Sequence, residues 1–436
     1  MKNKSYLLVT AAISIIIILL ILYMAPKIFT ADKSDAVKIY YADNISSAHN
    51  KIIKLFNEKH KGKIEIVAID LPFSKFTTNE RKEILARSLR SKTDRMDVFA
   101  IDLIWGPRFA KWSYDLSPYF SDIQLQKYTD HALKSCLYND KLISIPFYTD
   151  VGLMYYRKDI LQKIGLTEKD FDKINASLTW EEFIQLGEKI KAESYPVFLY
   201  SGDSYEGMIC SFHEMLSSRQ SDEIFQQDHI NLNKKPALHG LNFMVDLIYK
   251  YKFTPVDVLQ FDENKSKMFA LQNNAVFLRG WPGFFNNPDE LRDYQDMLKY
   301  YKMAPLPHFK GQKHNAVFGG WNLMISKYSK NKMQALEFLK FATSIDMQKI
   351  FYEEVGYFPI RKEIYSDSLF IKNNQELQNY ENLFKRGRHR PFKENYTKMS
   401  DIMSHYFHQA LEGKITAKEA LLLANKEINS KQVFLK

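Results

Sequence analysis

A chain of 436 residues with 45% hydrophobic content has enough apolar side chains for a sizeable core, and its length implies two or three compact units. Two cysteines, Cys136 and Cys210, are too few for a disulfide scaffold or a zinc cluster; they read as small core residues, with a single bridge as the alternative. The formal charge of +10 comes from scattered lysines with Asp and Glu between them, the pattern of a solvated surface, so no nucleic-acid partner is expected.

In chain order, Lys2 and Lys4 precede an uncharged run over residues 5–26 that contains "AAISIIIILLILYMA". The run is long enough to span a bilayer. No small-x-small cleavage pattern follows it, since Ala31 has Phe29 two places before it. The expectation is an uncleaved signal anchor over residues 6–25, with a cleaved signal as the alternative. The basic end stays inside and the rest of the chain faces outward. No cysteine lies near the end of the run to carry a lipid.

Strand-like and helix-like segments then alternate, which points to an α/β architecture. "AVKIYYAD" is followed by the helical "SAHNKIIKLFNEKH", "GKIEIVAIDL" by "ERKEILARSLRSK", and "MDVFAIDL" is a third strand. Each of these strands ends in an aspartate, Asp43, Asp70 or Asp102, at the edge where open α/β sheets bind ligands; aspartates also favour turns and caps. Thr179 with Glu182, and Thr416 with Glu419, make capping boxes that open two later helices. "HGLNFMVDLIYKY", "ENKSKMFALQNN" and "KMQALEFLKFATS" read as helices, and "NAVFLRGW" as a strand. Two lobes joined by several crossings explain this order, with crossings near Pro146, near Pro305 to Pro307 and within 344–356.

No phosphate loop and no serine elbow are present. His405 and His408 are three apart on a predicted helix but lack a third metal ligand on the same stretch. Asp102 and Asp150 form a weak glycosidase pair. Asp150 lies among aromatic and aliphatic residues in "PFYTDVGLMYYRKD", where an unpaired charge is costly unless it faces a wet gap. Three tryptophans sit beside glycines, in "DLIWGPRFA", "RGWPGFF" and "FGGWNLMIS". Indole faces suit the C–H faces of sugar rings, and carboxylates beside them accept strong hydrogen bonds from hydroxyls.

"DVFAIDLIWGPRFAKWSYDLSPYF", "IPFYTDVGLMYYRKDIL", "NAVFLRGWPG", "FGGWNLMIS", "GYFPIRKEIY" and "RPFKENYTKMS", in that order, resemble the extracellular solute-binding proteins of ABC sugar importers, the maltose- and trehalose-binding branch in particular. The resemblance implies a periplasmic-binding-protein-like α/β fold of type II, with two hinged lobes: 36–146 with 305–345, and 147–304 with 346–436. It implies that Asp102 and Asp150 accept sugar hydroxyls. Trp281 and Trp321 stack on rings, Gly319 and Gly320 offer backbone groups, and Arg390 donates to a hydroxyl. Tyr148 and Trp105 would stand in the cleft wall, and Asn44 and Ser46 in the first loop. The implied protein is a monomeric binding protein without catalytic activity, metal or cofactor. It carries a disaccharide-sized oligosaccharide to an ABC permease. The alternatives are a tethered sensor for a signalling receptor, a carbohydrate-active enzyme, or a peptide- or polyamine-binding relative. Residues 272–274 depart from the pattern, because a glycine turn is common there.

Overall fold

The computed structural model describes residues 36–430 apart from 94, 227–229, 287–290 and 314, so the expected membrane anchor at 6–25 lies outside the described residues. Among the described residues no helix is long and apolar enough to cross a membrane.

Three strands come first, β1 (Val37–Asp43), β2 (Ile64–Asp70) and β3 (Val98–Asp102). A short hairpin, β4 (Leu137–Tyr138) and β5 (Lys141–Leu142), precedes β6 (Ile145–Val151), and β7 (Leu153–Arg157) begins one residue later. Then come β8 (Phe198–Leu199), β9 (Phe277–Gly280), β10 (Tyr301–Ala304), the long β11 (Ala316–Ile325) and β12 (Gly387–Arg388). The first sheet runs β2–β1–β3–β11, and β11 also pairs with β6 and with β12. Strands β1, β2 and β3 are parallel, whereas β11 is antiparallel to both β3 and β6. The second sheet has the order β10–β7–β9–β8.

The helices covering these sheets start where the sequence offers caps. Ser46 caps the helix Ser47–Lys59, which buries Ile52 and Phe56, and Thr77 with Glu80 boxes the start of Thr78–Arg90, which buries Leu85 and Leu89. Thr179 with Glu182 and Thr416 with Glu419 form the two expected capping boxes. At 272–274 no glycine is needed, because Asn274 itself adopts the left-handed conformation, φ +54°, that ends the helix Glu263–Asn273.

The chain passes between the two sheets at three points. Strand β6 runs unbroken through Pro146 as part of the first sheet, and the chain changes sheet at Gly152. Pro146 is tolerated because β6 is an edge strand there and needs no second ladder donor. The chain returns between β10 and β11, where Pro305 and Pro307 lie. The third change comes after β12, later than 344–356. The helix Ile345–Val355 still packs on Ser47–Lys59, whereas Tyr396–Leu411 and Ala417–Ile428 pack on Glu206–Glu214 and Lys235–Tyr249.

Strand β11 is irregular where it matters most. Its register to β6 slips between Trp321 and Asn322, and Gly320 has φ +125°. A Cβ at Gly320 would lie 2.5 Å from the carbonyl oxygen of Tyr148, an immovable backbone atom. Gly320→Ala is expected to cost about 3 kcal/mol of stability, read as a lower urea midpoint with an unchanged slope.

Candidate functional site

A cleft of about 470 Å³ opens between the two sheets. All but one of the expected residues line it: Asn44, Ser46, Asp102, Tyr148, Asp150, Trp281, Gly319, Gly320, Trp321 and Arg390. The exception is Trp105, which is buried behind Trp321 with ring centroids 5.3 Å apart, edge to face. It belongs to the core because the turn Leu103–Trp105, capped by the Asp102 carboxylate, directs it inward.

Pairing in the first sheet gathers most of these groups. Trp321 lies opposite both Asp102 on β3 and Tyr148 on β6, and Gly319 lies opposite Asp150. Trp281 comes from the second sheet, just after β9. Of the three strand-end aspartates, only Asp102 reaches the cleft. Asp43 is buried in a network with Tyr41 at 2.6 Å, Arg81 at 3.0 Å and His49 at 3.2 Å, and Asp70 accepts the amide of Ile45. Burial alone would raise Asp43, but these partners hold it below the usual carboxylate range. Asn44 and Ser46 are already engaged. The Asn44 side chain accepts the amide of Phe73, and the Ser46 hydroxyl lies 2.7 Å from His49 Nδ1.

The charged groups of the cleft divide into a paired set and an unpaired one. Arg390 is buried and donates from Nη1 to Glu206 at 2.6 Å and from Nη2 to Asp102 at 3.1 Å. Glu206 also accepts from Tyr396 at 3.1 Å and from Ser400. Arg390 therefore spends its bonds on two carboxylates and on the carbonyl of Phe318, and among the described residues its Nε has no partner. Burial raises Asp102, and Arg390 opposes that rise. Asp150 is 7% exposed, and among the described residues its Oδ1 meets no donor. Burial, then the neighbouring Asp102, push it up to about 8, with Arg279 pulling the other way.

Each cleft tryptophan is held by an arginine. The Arg279 guanidinium lies 3.9 Å from the ring centre of Trp281, and that of Arg81 lies 4.1 Å from Trp321. Trp281 is half-buried and its Nε1 points to Glu263 at 3.4 Å. A Cβ on Gly319 would come within 2.8 Å of Cζ3 of this ring, so only glycine leaves the indole its place. Trp321 is far more enclosed, with Phe73 and Trp105 against it.

Sequence reasoning missed Glu206, Glu263, Arg279 and Tyr357, which stacks on Tyr148 at 4.3 Å. A charge inside the apolar "NAVFLRGW" was the available signal for Arg279, the same kind of signal that singled out Asp150. His405 and His408 do not converge: the first bonds Gln409 and the second the carbonyl of Gly202. Among the described residues no group of metal-ligating side chains is present. Cys136 and Cys210 are free and buried, and burial pushes the Cys136 thiol up to about 12.

The raised Asp150 has a measurable consequence. The folded state keeps its proton between the ordinary carboxylate range and about pH 8, where the unfolded chain has lost it. Stability of the ligand-free protein therefore falls as pH rises through that window. Asp150→Asn is expected to flatten this part of the profile of melting temperature against pH.

Comparison with known proteins adds to this geometry. Residues 41–349 match the family described as bacterial extracellular solute-binding protein. A probable ABC transporter-binding protein of Deinococcus radiodurans is 26% identical over 350 residues, 79% of this chain and 80% of that one. An arabinooligosaccharide-binding protein of Bacillus subtilis is 24% identical, covering 76% of this chain and 74% of the relative. Among solved structures, maltose-bound MalE3 of T. maritima superposes with a TM-score of 0.82 at 30% identity, over 92% of this chain and all of that one. The fold is thus the two-lobed, periplasmic-binding type of α/β structure, and this chain belongs to the bacterial extracellular solute-binding protein family.

Proposed function

We propose that this protein binds a disaccharide-sized oligosaccharide outside the cytoplasm and hands it to an ABC permease. The observation that carries the reading is the meeting of Trp281, Asp150, Asp102 and Trp321 in one cleft between two sheets. A volume of about 470 Å³ suits a small ligand. Trp281 offers a rigid apolar face for a pyranose or furanose ring. Asp150, with a buried oxygen that meets no donor among the described residues, accepts a hydrogen bond from a ligand hydroxyl when ionised and donates one to it when protonated. Asp102 keeps one oxygen on Arg390 and the amide of Ile104, which leaves the other for a hydroxyl. Gly319 and Gly320 bring backbone to the ligand's edge. Arg390 acts mainly by fixing Asp102 and Glu206.

The lobes in this reading are 36–151 with 316–388, and 153–304 with 396–430. The sugar favours the closed form by the contacts it makes only there, at micromolar affinity or better, about −8 kcal/mol. Residues 6–25 tether the protein to the membrane, and it works as a monomer. The names of the relatives supply a panel for the ligand search: maltose, arabino-oligosaccharides and galacto-oligosaccharides.

A thermal-shift screen against this panel tests the proposal, since a ligand that binds only the folded form raises its melting temperature. At least one sugar should do so, and no sugar should be consumed. The two tryptophans separate in this assay. Trp281→Ala should reduce the shift strongly, leaving weak residual binding, with little loss of ligand-free stability. Trp321→Ala should abolish it and also cost about 3–5 kcal/mol, because that ring is enclosed by Phe73, Arg81 and Trp105. Full affinity in both variants would refute the site.

A further inference from the structure

We infer that Arg279, paired with Glu214, is a positioning residue that fixes the Trp281 indole and ties it to the crossing between the lobes. The inference rests on the sugar-binding reading of the cleft. Arg279 is on β9, two residues before Trp281, and both it and Glu214 are buried. The pair is bidentate, Nε to Oε2 at 2.9 Å and Nη2 to Oε1 at 2.8 Å, so the guanidinium plane is set by the carboxylate fork. Among the described residues its Nη1 finds no hydrogen-bond partner, yet the group lies 3.9 Å from the centre of the Trp281 ring. An indole face takes the place of the missing acceptor.

The same pair stands at the hinge. A Cβ on Gly152, where the chain changes sheet, would fall 1.9 Å from Oε1 of Glu214 and 2.9 Å from Nη2 of Arg279. Oε1 of Glu214 also accepts the amide of Val317 on β11, at 3.4 Å, and the adjoining His213 carbonyl accepts from Asn315 at 3.0 Å. The carboxylate that orients Arg279 thus touches the first sheet, while Arg279 and Trp281 belong to the second. A rotation of one lobe against the other moves the base on which the indole rests.

The test compares Arg279→Lys with the double variant Arg279→Met/Glu214→Gln, in the wild-type and Trp281→Ala backgrounds. The double variant leaves no unpaired buried charge and keeps an acceptor for Val317. Titration with maltose and the arabino- and galacto-oligosaccharides should show affinity about tenfold weaker for the double variant. Arg279→Lys, which keeps the charge but loses the fork, should fall between the two. In the Trp281→Ala background neither change should weaken residual binding further. A folded double variant with unchanged affinity, or losses that add to that of Trp281→Ala, would overturn the inference. A ligand-free readout stands beside this one: the emission and anisotropy due to Trp281, taken as the difference from Trp281→Ala, should shift to longer wavelength and lower anisotropy in both Arg279 variants. An unchanged difference spectrum would also overturn it. Absence of binding by any panel sugar to the wild type would instead remove the sugar reading, and the spectrum would still decide the role of Arg279.

Discussion

The register of one strand governs the cleft. Strand β11 lies between β3 and β6, and its pairing sets Trp321 against Asp102 and Tyr148 while setting Gly319 against Asp150. A slip by one residue would turn every side chain to the opposite face. The bulge at Trp321/Asn322 and the positive φ of Gly320 let the strand bend at this point without losing its partners. Gly319 then leaves room for the Trp281 ring arriving from the other sheet. Two glycines and a tryptophan in succession therefore do three separate tasks: they admit one indole, turn the backbone, and present a second indole.

Charge in the cleft is arranged by the cost of burying it. Five cations and carboxylates in or beside the cleft are settled among themselves, Arg390 with Asp102 and Glu206, and Arg279 with Glu214. Such pairs are weak stabilisers overall, because desolvation offsets most of their attraction, but removing one partner is expensive. They serve here to hold side chains in fixed positions. Asp150 is left out of the pairing, and its buried Oδ1 meets no donor among the described residues. Burial pushes its proton affinity up.

Much of this was legible beforehand because it depends on local chemistry. Capping boxes at Thr179 and Thr416 set helix starts, and alternation of strand and helix set the fold class. An isolated Asp150 among apolar residues, and tryptophans next to glycines, marked the cleft. What escaped depends on distant contacts. A crossing was expected near Pro146, but β6 runs through it, because an edge position makes its missing N–H harmless. Trp105 carries the same Trp–Gly signal as Trp281, yet the turn capped by Asp102 sends it into the core. Glu206 opens a helix and reads as an ordinary first-turn acid; only tertiary packing brings it to Arg390, 184 positions away. Asn44 and Ser46 stand at the cleft as expected, but their side chains are bound to Phe73 and His49.

The central claim is that indole faces and carboxylates from both lobes meet on one neutral sugar. A crystal structure grown with the panel sugar of greatest thermal shift tests it most directly. A saccharide ring is expected against Trp281, with hydroxyls within hydrogen-bond distance of Asp150 and Asp102. A sugar seated elsewhere on the molecule, or one in the cleft that leaves Asp150 and Trp281 untouched, would contradict it.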